Sequence, residues 1–351
     1  MRREAGLGGT QARRGLGTSD GATVHSLYLS PALSFPGRSV DEYRAPLFLA
    51  WQLTNRCGAG CIACCEESGP DRAWNDELTA REALALAHRV ADFGIPYVAF
   101  GGGEPLLVPH CWEVFELLAA AGVAIKLETD GTHIDDTAAD RLATLGVQCI
   151  QISVDGATAD IHDRVRPGSS FAEATAAIRR LVERRLPPQL VFTPNRVNLH
   201  EIVAAYELAA VLHCSTFVTG PLMRIGRAAA AWDKIACSED EWRGAVAALR
   251  ERAESLAARV ALSIYPWDIL VELQKRLENP QAMLLVVPNG KVKLLNALPF
   301  APADLRRDTL DQAWQAYRDA WRSAQVREFV LACRTNPKML LHANETWRMC
   351  A

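Results

Sequence analysis

Residues 47–64, with the sequence LFLAWQLTNRCGAGCIAC, determine how the rest of the chain is interpreted. The first seven of these residues form a largely apolar run, which is typical of a strand buried on both faces. The run leads into a loop in which three and then two residues separate Cys57, Cys61 and Cys64. A buried strand that ends in a loop of thiols predicts a metal site beyond the carboxyl end of a sheet.

Downstream of this loop, short apolar segments alternate with longer segments of helical periodicity. The predicted strands are residues 47–53, 97–100, 123–128, 147–154, 189–192 and 216–218. The predicted helices between them are residues 79–93, 108–121, 136–145, 171–184 and 199–213. Such alternation indicates a parallel sheet with right-handed crossovers and helices on its outer face. About six units fit before residue 225, which predicts an α/β fold built as a partial, open barrel.

The composition changes twice along the chain. Residues 1–45 are rich in Gly, Ser and Arg and lack periodicity, so we expect a flexible N-terminal arm. Residues 46–237 contain the alternating units and form the predicted core. Residues 238–351 begin with a charged helix and end in a Trp-rich helical tail, which predicts a small C-terminal α+β module.

The bulk properties exclude several classes of partner. A formal net charge of −3 over 351 residues provides no global basic field for nucleic acid or an anionic membrane. No apolar run reaches the roughly 18 residues that span a bilayer, and no signal-peptide core is present. We therefore expect a cytoplasmic protein without nucleic-acid or membrane partners, whose ten cysteines are reduced.

The cysteine loop can hold either an iron–sulfur cluster or zinc. Three thiolates with glycines between them can wrap one face of an iron–sulfur cube and leave one iron without a protein ligand. Zinc prefers four ligands in paired knuckles, and no second pair of cysteines lies elsewhere. The adjacent Cys65 reaches the same metal only with difficulty, so spacing favours the cluster without excluding zinc.

A glycine-rich segment follows the next predicted strand. Residues 97–100 lead into residues 101–105, with the sequence GGGEP. Glycines allow a ligand to approach the backbone closely and reach its amide and carbonyl groups. Tight turns have the same composition, but the position one β–α unit after the cysteine loop indicates a shared binding site.

The two motifs, in this order, resemble the radical S-adenosylmethionine (SAM) superfamily over about residues 47–230. The resemblance implies a partial (βα)6 barrel and one 4Fe–4S cluster held by Cys57, Cys61 and Cys64. It also implies that the amino and carboxylate groups of SAM chelate the remaining iron. An external one-electron donor, such as flavodoxin or ferredoxin, would reduce the cluster.

The resemblance extends to residues at the ends of later strands. It implies a cosubstrate site formed by Gly102, Gly103, Glu104, Thr129, Ser153, Asp155 and Arg166. Gly102, Gly103 and Glu104 align with the segment that holds the methionine amino group. Arg166 follows Asp163 as in a His-Asp-x-x-Arg stretch and could pair with the methionine carboxylate. A turn at Asp155 and a solvated charge at Arg166 remain the alternatives.

One position departs from the family pattern. The residue before the third cysteine is usually aromatic and shields the cluster or the adenine, but here it is Ala63. Either another side chain fills that space or the cosubstrate is more exposed.

The C-terminal region resembles the SPASM or twitch module of members that mature peptides and cofactors. The resemblance rests on residues 225–228, 287–292, 304–305 and 310–314. Leu294, Leu295 and Asn296 stand where a cluster-binding cysteine is expected, and only Cys333 and Cys350 remain of the closing cysteines. This predicts one cluster. Four tryptophans could line a substrate pocket or form the core of the module, namely Trp267, Trp314, Trp321 and Trp347.

The resemblance implies a radical enzyme that abstracts hydrogen from a ribosomal peptide or a peptide-derived natural product. The alternative within the family is a small cofactor precursor, such as a tetrapyrrole or a metal-cofactor intermediate. A non-catalytic iron–sulfur or zinc scaffold protein is the alternative from another class. The chemistry needs no acid–base constellation, and the sequence assigns no catalytic side chain. Cys65 could donate a hydrogen atom or be a packed bystander.

Overall fold

A computed structural model describes residues 39–256 and 259–349. Its strands are β1 (Phe48–Thr54), β2 (Tyr97–Gly102), β3 (Ala124–Thr129), β4 (Cys149–Ser153), β5 (Gln189–Phe192), β6 (Thr216–Thr219), β7 (Ala261–Ile264), β8 (Met283–Val286), β9 (Lys291–Lys293), β10 (Phe300–Ala301), β11 (Ala303–Asp304) and β12 (Trp347–Arg348). The predicted arm comprises residues 1–45, and its residues 1–38 lie outside the described residues. Cys350 also lies outside them.

The helices are α1 (Ala80–Phe93), α2 (Cys111–Ala120), α3 (Asp136–Leu145), α4 (Ala159–Val165), α5 (Phe171–Glu183), α6 (Ile202–Val211), α7 (Gly226–Ala230), α8 (Trp232–Ile235), α9 (Glu239–Leu256), α10 (Ile269–Glu278), α11 (Leu310–Arg322) and α12 (Ala324–Thr335). Short 3-10 helices cover Val40–Glu42, Pro105–Leu107, Leu199–Glu201 and Pro337–His342. None of the helices in the described residues is long and apolar enough to cross a membrane.

One sheet of ten strands organises the molecule, in the order β11-β9-β8-β1-β2-β3-β4-β5-β6-β7. The eight strands from β8 to β7 in this order run parallel, whereas β9 and β11 pair antiparallel at the edge. Among the described residues β7 and β8 do not pair with each other, so the curved sheet stays open between them. This seam is the lateral opening of a partial barrel.

Alternating burial separates the two faces of the strands. In β3, Ile125 and Leu127 are buried in the main hydrophobic core beneath the helices. Lys126 and Glu128 alternate with them and therefore lie on the inner face of the barrel. The inner face is thus partly polar, and the outer face forms the apolar core.

The predicted parallel α/β barrel with six units is confirmed, and the strand and helix ends agree to within about three residues. Two further parallel strands, β7 and β8, flank these units. The division into residues 46–237 and 238–351 remains a prediction, but the sheet runs across it. In the C-terminal region, β8 pairs with β1 and β7 pairs with β6. They pair there because β1 and β6 are the two edge strands of the six-stranded core.

Candidate functional site

The loop after β1 borders a cavity of about 200 Å³, here called the cysteine cavity. Cys57, Cys61 and Cys64 all line it. Cys61 is buried, and the other two thiols are half-buried. The cavity lies at the carboxyl ends of the parallel strands, where ligands bind in this class of fold.

The segment between α4 and α5 supports the cysteine loop from one side. The backbone N–H of Gly60 donates to the carbonyl of Pro167 at 2.6 Å, and that of Ile62 donates to the carbonyl of Val165 at 3.0 Å. These bonds fix the loop although it has no regular structure of its own.

Residues far along the chain support the loop from the other side. Arg227 donates from Nε to the Cys61 carbonyl at 2.7 Å and from its backbone N–H to the Cys64 carbonyl at 3.0 Å. Asn344 Nδ2 donates to the Cys65 carbonyl at 2.9 Å. The C-terminal region therefore helps to set the shape of the cysteine loop.

The thiols of Cys57 and Cys61 lie in an environment that disfavours their charged form. Burial raises the pKa of Cys57 to about 12. Burial also raises the pKa of Cys61, while the guanidinium groups of Arg166 and Arg227 oppose the shift. Thiolates at these positions therefore need a positive partner such as a metal.

The thiols are not arranged around a single ion. Within residues 39–256 and 259–349, no group of three or more His, Cys, Asp or Glu side chains could hold one metal ion. Nine cysteines there are free, including Cys57, Cys61, Cys64 and Cys65. Four of these thiols, those of Cys57, Cys61, Cys64 and Cys65, border one cavity.

The glycine-rich segment packs directly on the strand end that leads to the cysteines. Gly103 N–H donates to the Thr54 carbonyl, and Glu104 N–H donates to the Arg56 carbonyl, both at 2.9 Å. A Cβ at Gly103 would lie 2.1 Å from the Arg56 carbonyl oxygen, so only glycine fits there. The two motifs therefore form one structural unit.

Glu104 is buried at the inner end of this segment. Its Oε2 accepts from the Thr129 hydroxyl at 2.8 Å and from the Asp130 N–H at 3.0 Å, and its Oε1 accepts from the Leu106 N–H at 3.1 Å. Burial and the neighbouring Asp130 carboxylate raise the pKa of Glu104, although these hydrogen bonds oppose the shift. A cation bound beside it would favour its ionised form.

Asp155 and Arg166 form a buried ion pair on the opposite wall. Arg166 Nη1 lies 3.0 Å from Asp155 Oδ2, and the Thr193 N–H donates to Asp155 Oδ1 at 2.6 Å. The Asp155 N–H donates to His162 Nδ1, and burial followed by the Arg166 charge lowers the pKa of His162 to about 4. Arg166 Nε is buried without a hydrogen-bond partner among the described residues.

All ten residues predicted for the site line the cysteine cavity. They are Cys57, Cys61, Cys64, Gly102, Gly103, Glu104, Thr129, Ser153, Asp155 and Arg166. The sequence analysis did not name several other lining residues as site residues, among them Ser68, Glu128 and Thr193. The positions of residues such as Glu128 and Thr193 near the ends of strands could have indicated a role in the site. Whether they approach the cavity depends on the curvature of the sheet, which the sequence does not describe. The ligand roles of all these residues stay predictions.

A small apolar cluster packs against Ala63, which also lines the cysteine cavity. Ile62 and Ala63 pack against buried residues of the segment that follows β6, with Trp232 at the edge of the cluster. Its buried members are Leu222, Ala228, Ile235 and Ala236. The position that is usually aromatic is thus covered by other side chains on one side and open to the cavity on the other.

Other suggested residues lie elsewhere. None of the four tryptophans Trp267, Trp314, Trp321 and Trp347 lines the cysteine cavity. Trp314 and Trp321 belong to the hydrophobic core, as the alternative interpretation expected. Asp163 accepts a hydrogen bond from the Phe171 N–H and does not line the cavity. Cys65 does line it, and its thiol lies 3.6 Å from Glu66 Oε1.

A second cavity of about 410 Å³, here called the barrel cavity, adjoins the first inside the barrel. Gly101, Gly102 and Glu128 line both cavities. Its polar lining residues are Gln52, Glu66, Glu128, Tyr265, Gln281 and Asn296. Its apolar lining residues include Phe48, Ala50, Met283, Leu285 and Leu295. Residues from both sides of the β7–β8 seam therefore reach this cavity.

Residues 51–209 match the family described as the Radical SAM superfamily. The AdoMet-dependent heme synthase of Methanosarcina barkeri is 34% identical over 52% of this chain and 52% of its own length. The mycofactocin maturase MftC of Mycobacterium ulcerans is 32% identical over 54% of this chain and 51% of its own length. The chain thus spans about half the length of the curated relatives it matches.

The fold also matches a solved structure of a peptide-bound protein. SuiB of Streptococcus suis, bound to the precursor peptide SuiA, superposes with a TM-score of 0.64 at 11% identity. The match covers 81% of this chain and 66% of SuiB. At this identity the likeness concerns the fold, and it confirms the predicted barrel.

Proposed function

We propose that this chain, which belongs to the radical SAM superfamily through residues 51–209, cleaves SAM with one 4Fe–4S cluster and modifies a peptide. Cys57, Cys61 and Cys64 would bind the cluster. The observation that carries the proposal is that these thiols and residues 102–104 line one cavity at the carboxyl end of the barrel. Three protein ligands keep one iron open for SAM.

The donor set suits an iron–sulfur cube better than a single zinc ion. Structural zinc requires its ligands to converge within about 2.3 Å of one point. No three His, Cys, Asp or Glu side chains converge in this way within the described residues. In a cube each thiolate binds a different iron, so thiols spread along a cavity wall are suitable.

The cysteine cavity also suits the amino acid end of SAM. The SAM ammonium would lie beside Glu104 and the backbone of Gly102 and Gly103. Burial raises the pKa of Glu104, and a positive charge beside it would favour the ionised carboxylate. The SAM carboxylate would accept from Arg166, whose Nε has no partner among the described residues.

The neighbouring residues would hold this arrangement in place. Asp155 orients Arg166 through their ion pair, and His162 fixes the backbone of Asp155. Thr129 positions Glu104 through its hydroxyl, and Ser153 would contact the rest of the cosubstrate at the end of β4. These residues orient groups and do not transfer protons.

A cluster held by Cys57, Cys61 and Cys64 would supply the one-electron reduction that cleaves SAM, and this cleavage would provide the radical chemistry for removing hydrogen from the substrate. The chain itself would bind and orient both molecules and exclude water. A flavodoxin or ferredoxin would supply the electron from outside. We propose a single cluster, since residues 294–296 lack a thiol where relatives with auxiliary clusters have one.

The charge of the barrel cavity supports a peptide as the substrate. The cavity has two carboxylates, Glu66 and Glu128, and no basic residue among the residues that line it, although Lys126 and Lys293 lie beside these carboxylates and offset part of their charge. A tetrapyrrole precursor with several carboxylates would find no basic partner in this lining. The names of MftC as a maturase and of SuiB with its precursor peptide point in the same direction.

A small cofactor precursor is the second candidate, because the heme synthase relative is 34% identical over about half of each chain. It would require an uncharged or cationic precursor, given the lining of the barrel cavity.

Anaerobic reconstitution with iron and sulfide tests the proposed function. The reconstituted chain is mixed with SAM and dithionite, and 5′-deoxyadenosine is measured by chromatography. We expect its formation to depend on the reductant and to disappear in Cys61→Ala. A chain that binds zinc and forms no 5′-deoxyadenosine would instead be a scaffold protein.

A further inference from the structure

The barrel cavity has walls of two kinds. Strands β1 and β8 contribute an apolar wall that includes Phe48, Met283 and Leu285. The opposite, polar side includes Glu66 and Glu128. A group that fills this space should therefore have an aliphatic part and an end that donates hydrogen bonds.

Glu128 stands at the junction of the two cavities. Its Oε1 accepts from Lys126 Nζ at 2.6 Å, while its Oε2 has no hydrogen-bond partner among the described residues. Its side chain is 48% exposed to the space in front of it, whereas Lys126 is only 13% exposed. One oxygen is thus anchored, and the other is available to a ligand.

The glycine segment makes room for this carboxylate. A Cβ at Gly101 would lie 2.9 Å from Glu128 Oε2, which is closer than such contacts allow. Gly101 and Glu128 both line the cysteine cavity and the barrel cavity. A ligand that reaches Oε2 therefore lies next to the space proposed for SAM.

We propose that the barrel cavity binds a cationic side chain of the substrate peptide, lysine or arginine, through Glu128. The apolar wall receives the aliphatic stem, and Glu128 Oε2 accepts from the cationic end. The inference rests on the proposed function, because it places the carbon atoms of that stem beside the cysteine cavity. It identifies the class of residue to be modified, and it excludes acidic side chains.

Lys126 sets the strength of this recognition. Its ammonium neutralises part of the Glu128 charge from behind, and it does not line the barrel cavity. Removing the Glu128 charge should weaken the preference for a cation, and removing the Lys126 charge should strengthen it. Structural damage alone would not produce opposite changes.

The test measures peptide binding to the reconstituted enzyme with SAM. The probes are fluorescent heptapeptides with alanine at six positions and lysine, norleucine or glutamate in the centre. Their dissociation constants are compared for the wild type, Glu128→Gln, Lys126→Met and Glu116→Gln. Glu116 pairs with Arg141 at 2.6 Å on the outer helices, so its variant is a control for the loss of an exposed ion pair.

In the wild type, we expect the lysine peptide to bind at least about tenfold more tightly than the norleucine or glutamate peptide. Glu128→Gln should reduce that ratio to near one, Lys126→Met should increase it, and Glu116→Gln should leave it unchanged. Equal or undetectable binding of the three peptides would overturn the inference, as would equal effects of Glu128→Gln on all three. Formation of 5′-deoxyadenosine without peptide, measured in the same samples, tests the proposed function separately.

Discussion

Gly103 and Glu104 are next to each other in sequence, but they contribute to the site in different ways. Gly103 has no side chain, which allows its backbone to pack directly against the carbonyl of Arg56. Glu104 contributes a buried carboxyl group that holds Thr129 and the backbone of Asp130. At the scale of single residues, the site therefore combines close backbone packing with a few buried charges.

Replacing Gly103 by alanine should separate the two motifs. The added methyl group would lie 2.1 Å from the Arg56 carbonyl oxygen, so the backbone next to Cys57 would have to move. We expect a loss of about 1–3 kcal/mol in the free energy of unfolding, measured with urea, together with weaker cluster binding. Gly58→Ala, in the neighbouring cysteine loop, is the matched control, because a Cβ there meets nothing within 4 Å. Equal stability of the two variants would contradict this account of the loop.

Replacing Arg166 by methionine should weaken SAM binding. The variant loses the proposed partner of the SAM carboxylate and leaves the buried Asp155 without its ion pair. We expect the dissociation constant of SAM, measured by equilibrium dialysis, to rise at least about tenfold. Arg164→Met is the control, since Arg164 is 61% exposed and, among the described residues, pairs only with Asp160. A similar affinity in both variants would remove Arg166 from the proposed site.

The sequence could predict the residues of the site that belong to short motifs. Cys57 was found from the cysteine spacing along its loop, whereas Gly103 and Glu104 were found from the glycine-rich segment and its resemblance to a family motif. Thr193 and Glu128 were missed because their approach to the cavity depends on how neighbouring strands curve. No local pattern contains that information.

At the scale of elements, β1 to β6 could be predicted because each is a largely apolar run, and the first five are followed by a segment of helical periodicity. Helix α4 was missed because it has only seven residues, too few for its periodicity to be recognised. Strands β7 and β8 lie within residues 238–351, which the sequence analysis assigned to the C-terminal module. Their pairing with β6 and β1 is set by the open edges of the core, which the sequence does not describe.

Arg306 connects the C-terminal elements to the first β–α unit. Its guanidinium donates to the carbonyl of Asn289 at 2.7 Å, to that of Asp76 at 2.9 Å and to Glu82 Oε1 at 2.9 Å. The hydrogen bonds join the start of α1 to the segments around β9 and β11. We therefore regard this side chain as the main polar link between these elements.

Arg306→Ala should destabilise the chain by about 1–3 kcal/mol in urea unfolding, since it removes the ion pair with Glu82 and leaves the partly buried carbonyl of Asn289 without this donor. Arg307→Ala is the control, because Arg307 is exposed and has no such side-chain contacts among the described residues. Equal unfolding midpoints for the two variants would mean that Arg306 does not contribute to holding the C-terminal elements in place.

At the scale of the whole molecule, eight parallel strands form an open barrel, with the cysteine cavity at their carboxyl ends. The barrel cavity lies beneath it and extends towards the β7–β8 seam. The C-terminal region completes the edges of the sheet and, through Asn344, supports the cysteine loop. The position of the two cavities follows from the fold, and the choice of cofactor follows from three side chains.

The iron content of reconstituted variants tests the central claim most directly. Iron and sulfide are measured per chain, after anaerobic reconstitution, for the wild type and for alanine variants of Cys57, Cys61, Cys64 and Cys65. We predict about four iron atoms in the wild type and in Cys65→Ala, and little iron in the other three variants. Full iron content in any of those three variants, or its loss in Cys65→Ala, would contradict the proposed ligand set.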